Sequence, residues 1–127
     1  MDTVCVALPV WFQRIESAAI AVLVVVAFDQ LGFAWWWLIA VFLLWDLSMV
    51  GYLVSPRVGA ISYNVGHSYL GPALLGLTWV AMDDARWPIF VALTWAFHIA
   101  VDRLLGYGLK FTDHFTHTHL GEVGNKR

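Results

Sequence analysis

The sequence predicts an all-α integral membrane protein, a single domain of four transmembrane helices running up-down-up-down. Three observations carry that reading. Of the 127 residues, 61% are hydrophobic and only 13% charged, whereas a soluble domain carries about a quarter charged residues. Aromatic residues make up 16% of the chain and include eight Trp, more apolar surface than so small a protein can hide from water. The apolar residues also gather into runs near the ~20 residues that a hydrocarbon layer about 30 Å thick requires.

The elements follow in order. Residues 1–13, with Pro9 and Trp11, read as an interfacial lead-in. The first span is expected at about 15–31 and closes at Asp29-Gln30-Leu31-Gly32. The second covers about 33–54 and ends at Ser55-Pro56, with Trp35-Trp36-Trp37 suited to an aromatic belt at the membrane surface. The third covers about 58–82, where Gly71-Pro72 should kink it near its middle. The fourth runs over about 87–105, with Pro88 placed in its first turn, and residues 106–127 form a tail.

Charge gives direction to this arrangement. Arg14, Arg57, Lys110, Lys126 and Arg127 fall on one side of such a bundle, and Arg86 alone on the other. By the positive-inside rule both termini and the tail are cytoplasmic, in a multi-pass protein of the plasma membrane. A net charge of −2 without a basic stripe excludes nucleic acid as a partner. Cys5 is the only cysteine, which rules out an internal disulfide, a thiolate zinc site and an iron–sulfur cluster. The N-terminal stretch lacks a basic lead and a small-residue cleavage site, so it reads as a retained helix.

Polar groups inside the spans are costly in hydrocarbon and therefore informative. The second span carries Asp46, the third Tyr63, Asn64, His67 and Ser68, and the fourth His98, Asp102 and Arg103. His98 and Asp102 lie one helical turn apart. The alternating topology puts Asp46, His67 and Asp102 at similar depth in the cytoplasmic half, given ~1.5 Å of rise per residue. That match marks Asp46, His67, His98 and Asp102 as candidate catalytic residues. The candidate metal ligands are His67, His98 and Asp102, with His119 of the tail, and the candidate substrate-binding groups are Tyr63, Asn64 and Arg103. Two alternatives are structural: an Asp102–Arg103 ion pair at a helix end, and His67 with Asn64 as interhelical hydrogen-bonding glue. The tail also carries Asp113, His114 and His117, and Phe111, Phe115 and Leu120 give it an apolar face with which to dock.

These same positions carry a resemblance. Asp46-Leu47-Ser48-Met49-Val50-Gly51-Tyr52, Pro56-Arg57-Val58-Gly59-Ala60, Tyr63-Asn64 with His67-Ser68-Tyr69, His98-Ile99-Ala100-Val101-Asp102-Arg103, Gly106-Tyr107-Gly108-Leu109-Lys110 and Thr118-His119-Leu120-Gly121 together resemble a family of small bacterial integral membrane proteins catalogued as a domain of unknown function. The likeness covers about residues 15–121. It implies a multi-span membrane protein and supplies no activity. The family usually has an acidic residue where this chain has His117, which leaves His119 the better tail ligand.

Two carboxylates and two or three imidazoles suit zinc, iron or manganese. The leading expectation is a membrane-embedded enzyme acting on a membrane lipid or other apolar small molecule. It would be either dependent on such a divalent metal or, with no cofactor, an acid–base isomerase or cyclase. A small transporter or proton- or cation-conducting subunit is the second class, and four spans would then require a homo-oligomer. A structural membrane protein without catalysis is the third.

Overall fold

The computed structural model describes residues 3–110 and 117–122. Its elements are α1 (Thr3–Gln30), α2 (Trp36–Ala40), a 3-10 helix (Phe42–Leu53), α3 (Pro56–Gly66), α4 (Leu70–Ala81), α5 (Trp87–Leu105) and a two-residue antiparallel ladder, β1 (His117–Thr118) with β2 (Gly121–Glu122). Among the described residues three helices are long and apolar enough to cross a membrane: Leu8–Gln30, Trp36–Leu53 and Trp87–Leu105.

Helix α1 starts at Thr3, so the interfacial lead-in expected over 1–13 is corrected: Pro9 lies inside a 28-residue helix. Backbone amides in lipid find no water and must bond within the segment, so the apolar residues ahead of Arg14 join the helix. Ser17, Ala21, Val24 and Phe28 are its buried positions. Their spacing of four, three and four residues is the stripe of a helix with 3.6 residues per turn, and it packs on α5, where Ile99 and Ala100 are fully buried. Between them Val22, Leu23 and Val26 lie more than half exposed, as on a helix that faces lipid or a partner. At the far end Phe28, Phe33 and Phe90 cluster with centroids 5.0–5.5 Å apart. Arg86 closes this end, donating to the Leu31 carbonyl with its guanidinium 4.6 Å above the Phe33 ring.

The second span is wound more tightly than an α-helix over most of its length. Twelve residues of 3-10 helix are an unusually long run. At 2.0 Å per residue against 1.5 Å, the tighter coil adds about 6 Å and brings 18 residues to roughly 30 Å. Side chains three apart eclipse in such a helix, and the sequence obeys that period. Leu44, Leu47, Val50 and Leu53 face outward, each more than half exposed, while Phe42, Trp45, Ser48 and Gly51 turn toward the protein.

The expected third span over 58–82 is corrected to two helices, α3 and α4, neither long enough to cross alone. The break falls at His67–Tyr69 rather than at Gly71-Pro72 itself. A proline ring collides with the carbonyl four residues before it and lacks an N–H to donate, so the helix interrupts upstream and Pro72 is received in the first turn of α4. Helix α3 lies against the 3-10 helix, while α4 lies against α5. Ser55 caps α3 by accepting the Val58 N–H at 3.1 Å, with Pro56 next.

Helix α5 matches the expected 87–105, with Pro88 at its start and Gly106 at φ 96° as a left-handed C-cap. The chain then turns back. The Asn64 amide clamps the backbone of Lys110 at two points, Oδ1 accepting its N–H at 2.6 Å and Nδ2 donating to its carbonyl at 2.8 Å. Lys110 pairs with Thr118, and the His119 N–H donates to the Leu109 carbonyl at 2.9 Å. Thr118-His119-Leu120-Gly121 thus folds back on residues 108–110. The expectations for Phe111, Asp113, His114 and Phe115 lie outside the described residues.

Candidate metal centre

Three helices each deliver part of the polar group. The 3-10 helix supplies Asp46, the C-terminal end of α3 supplies His67, and α5 supplies His98 and, one turn on, Asp102. One ligand atom from each of the four residues lies within 4.8 Å of the others. His67 Nε2 is 3.0 Å from His98 Nε2, 3.1 Å from Asp102 Oδ2 and 3.5 Å from Asp46 Oδ1. His98 Nε2 is 3.1 Å from Asp102 Oδ2 and 3.3 Å from Asp46 Oδ1. A tetrahedron of N and O ligands about 2.05 Å from a central ion has edges of roughly 3.3 Å, and these five separations scatter around that length.

The tautomer of His67 follows from its partners. Its Nδ1 is 3.1 Å from the Tyr63 carbonyl, which can only accept, so Nδ1 carries the proton. Ser48 Oγ, itself donating to the Trp45 carbonyl at 2.9 Å, lies 3.2 Å from the same nitrogen as a second acceptor. The Nε2 lone pair of the neutral ring therefore points into the group. A backbone carbonyl on one imidazole nitrogen with the other aimed at a centre is the usual orientation of a metal-bound histidine. The His67 ring is further fixed by stacking on Tyr63 at 3.8 Å and 7°. His98 is fully buried, with Phe42 4.4 Å from its ring, and its Nδ1 makes no hydrogen bond of ordinary geometry among the described residues.

Burial varies within the group and defines an open side. The side chains of His67 and His98 are 4% and 0% exposed, Asp102 14% and Asp46 30%. Asp46 is the most accessible of the four.

The other candidates have different places. Tyr63 is buried under His67, and the Asn64 amide is spent on Lys110. The Nη2 of Arg103 is 3.3 Å from the His67 carbonyl and its guanidinium lies 4.8 Å from the Tyr69 ring. His119, expected near Asp102 or His98, is not among the four converging residues. Its Nδ1 accepts the Leu109 N–H at 2.8 Å and its ring packs against Gly108. Although part of that ring is open to solvent, desolvation and then Arg103 hold the imidazole below its ordinary pKa.

Two residues escaped the sequence reading. Ser48 orients His67 from the helix that carries Asp46. Lys110 is only 5% exposed, its Nζ 4.8 Å above the Tyr63 ring. Burial lowers its pKa from the usual lysine range, and Asp102 acts in the opposite sense. Their presence in the blocks Asp46–Tyr52 and Gly106–Lys110 was the available signal.

Among curated proteins and solved structures nothing matches this chain. The domain of unknown function DUF4260 matches residues 11–123. A match over nearly the whole length, taking in all four converging residues, makes the chain a member of the DUF4260 family.

Proposed function

We propose that the protein is a membrane-embedded enzyme that binds one divalent metal through Asp46, His67, His98 and Asp102 and acts on a lipid or another apolar substrate. The observation that carries this reading is the position of the two Nε2 atoms. Each lies 3.0–3.5 Å from three partners, the other Nε2 and both carboxylates. A single N–H can align with one acceptor only, whereas a central cation satisfies all four lone pairs at once. Two imidazoles and two carboxylates suit zinc, iron or manganese. A bound ion would supply Lewis acidity. The chain's own residues hold it rigidly from the buried side and leave the Asp46 side for substrate.

The setting favours an apolar substrate. Leu43 and Leu47, which flank Asp46 on the 3-10 helix, are 72% and 67% exposed, so the open side borders hydrocarbon. In this reading α3 and α4 together make the fourth crossing of an up-down-up-down bundle in the plasma membrane, with both termini cytoplasmic, as the distribution of Arg and Lys supports. The 3.0 Å approach of the imidazoles also fits a second reading, a proton shared between His67 and His98 in metal-free acid–base chemistry.

Metal analysis of protein purified in detergent decides between them. The expected result is one equivalent of a transition metal in the wild type and less than a tenth of that in both His98→Ala and His67→Ala. Wild-type protein that is metal-free as purified and does not take up zinc, iron or manganese on reloading would overturn the metal reading.

A further inference from the structure

We propose that Trp95 is the positioning residue of the centre, a single indole that sets the register of the three helices carrying its ligands. The inference rests on the metal reading above and adds what holds the four ligands in place.

Trp95, His98 and Asp102 fall at i, i+3 and i+7 of α5, one stripe of a helix with 3.6 residues per turn. From that stripe the indole reaches both of the other helices that carry ligands. Its Nε1 donates to the Gly66 carbonyl at 2.5 Å. Gly66 ends α3 and His67 follows it, so the bond secures a carbonyl that a helix end leaves without a partner of its own. The face of the indole stacks on Trp45 of the 3-10 helix, with ring centroids 4.8 Å apart and planes 5° from parallel. Asp46 follows Trp45, and the Trp45 carbonyl accepts from the Ser48 hydroxyl that lies against His67 Nδ1. The six-membered ring of Trp95 fills the place where a Cβ on Gly71 would stand, which packs α4 against the same side chain.

A buried indole N–H usually finds some acceptor, and that alone would leave Trp95 an ordinary packing residue. The identity of its partners says more. Two of its contacts fall on the residues immediately before Asp46 and His67, and His98 lies one turn along its own helix. The neighbouring indole provides a contrast. Trp45 Nε1 has no hydrogen-bond partner among the described residues, so within one stack it is Trp95 that is tied to the backbone beside a ligand.

The test uses full-length protein in detergent, loaded with cobalt(II), with chelator competition reading affinity and the visible spectrum reading ligand geometry. Trp95→Phe keeps a ring in the stack and loses the bond to Gly66. It should bind cobalt roughly 10- to 100-fold more weakly than wild type, the range for removing an outer partner of a metal site, and its cobalt bands should shift. Trp45→Phe trims the same stack without losing a hydrogen bond among the described residues, and should lose less affinity. Phe28→Leu, in the aromatic cluster at the far end, should lower the denaturation midpoint while cobalt affinity and spectrum stay as in wild type. Where Trp95→Phe cannot be purified, Trp95→Leu against Trp45→Leu gives the same comparison. Wild-type affinity and spectrum in Trp95→Phe, or equal losses in Trp95→Phe and Trp45→Phe, overturn the assignment. So does a Phe28→Leu variant that loses as much affinity as Trp95→Phe, which would make the indole one structural prop among others. Each of these outcomes leaves the metal reading standing, whereas wild type that takes up no cobalt sinks that reading and this inference with it.

Discussion

Ser48 illustrates how little contact a residue needs to govern a site. Among the described residues its hydroxyl bonds to no carboxylate and to no second imidazole. It accepts from the Nδ1 side of His67 while donating to the Trp45 carbonyl. Removing such an outer partner typically costs 10- to 100-fold in metal affinity. Ser48→Ala is therefore expected to weaken metal binding by about tenfold, the lower end of that range, because the Tyr63 carbonyl still holds the same nitrogen. Competition with a chelator of known affinity measures it. At this scale the sequence was most informative. Asp46, His67, His98 and Asp102 were legible because each is costly in lipid and their depths agreed. The bond between Asn64 and Lys110 was not, since a two-point clamp between a helix and a segment 46 residues away leaves no periodic trace.

Among the elements, the seam between α3 and the 3-10 helix has no slack. A Cβ on Gly66 would stand 2.5 Å from the Ser48 Cβ, a point fixed to backbone. Alanine gains up to about 1 kcal/mol of helix propensity over glycine, but overpacking of this kind costs about 1–3 kcal/mol. Gly66→Ala should therefore destabilise the protein on balance and weaken metal binding with it, because the atom displaced belongs to Ser48. Chemical denaturation in detergent and the chelator competition would report the two effects. The tail gives a pH-dependent counterpart. His119 must be neutral to accept the Leu109 N–H, and desolvation followed by Arg103 depresses its pKa in the docked state. A depressed folded pKa contributes stability that is complete above the free value of ~6.5 and is lost as pH falls below it. Hydrogen exchange at Leu109, corrected for its intrinsic pH dependence, should accelerate below pH ~6.5, and His119→Ala should abolish that trend. Element boundaries were partly legible. Pro88 and the Gly106 region bracketed α5 because each acts locally. The break at 67–69 was misplaced because proline's clash is felt four residues upstream. The 3-10 winding was missed because counting residues for a span ignores their period, although Leu44, Leu47, Val50 and Leu53 display it.

For the whole molecule, orientation is the property on which the proposed depth of the centre depends. Reporter fusions after Asp83 and at the C-terminus should give opposite signals, with the C-terminal fusion cytoplasmic, as the five-to-one split of Arg and Lys requires. Matching signals from fusions after Ser55 and after Asp83, which flank α3 and α4, would mean that these two helices do not together cross the bilayer. The two helices would then form a re-entrant pair, in which irregular backbone at 67–69 is tolerated because Trp95 donates to the Gly66 carbonyl and Arg103 reaches that of His67.

The tight winding of the second span also couples length to rotation. Relative to an α-helix, each 3-10 residue advances about 0.5 Å further and turns about 20° more. Asp46 is seven residues from the Leu53 end, so rewinding that stretch as α-helix would draw its carboxylate back by about 3.5 Å and swing it through roughly 140°. The segment is a screw with a proposed metal ligand on its thread. A bilayer thin enough to favour the shorter coil would unscrew Asp46 from the other three ligands, making membrane thickness a term in the affinity of the centre for its ion.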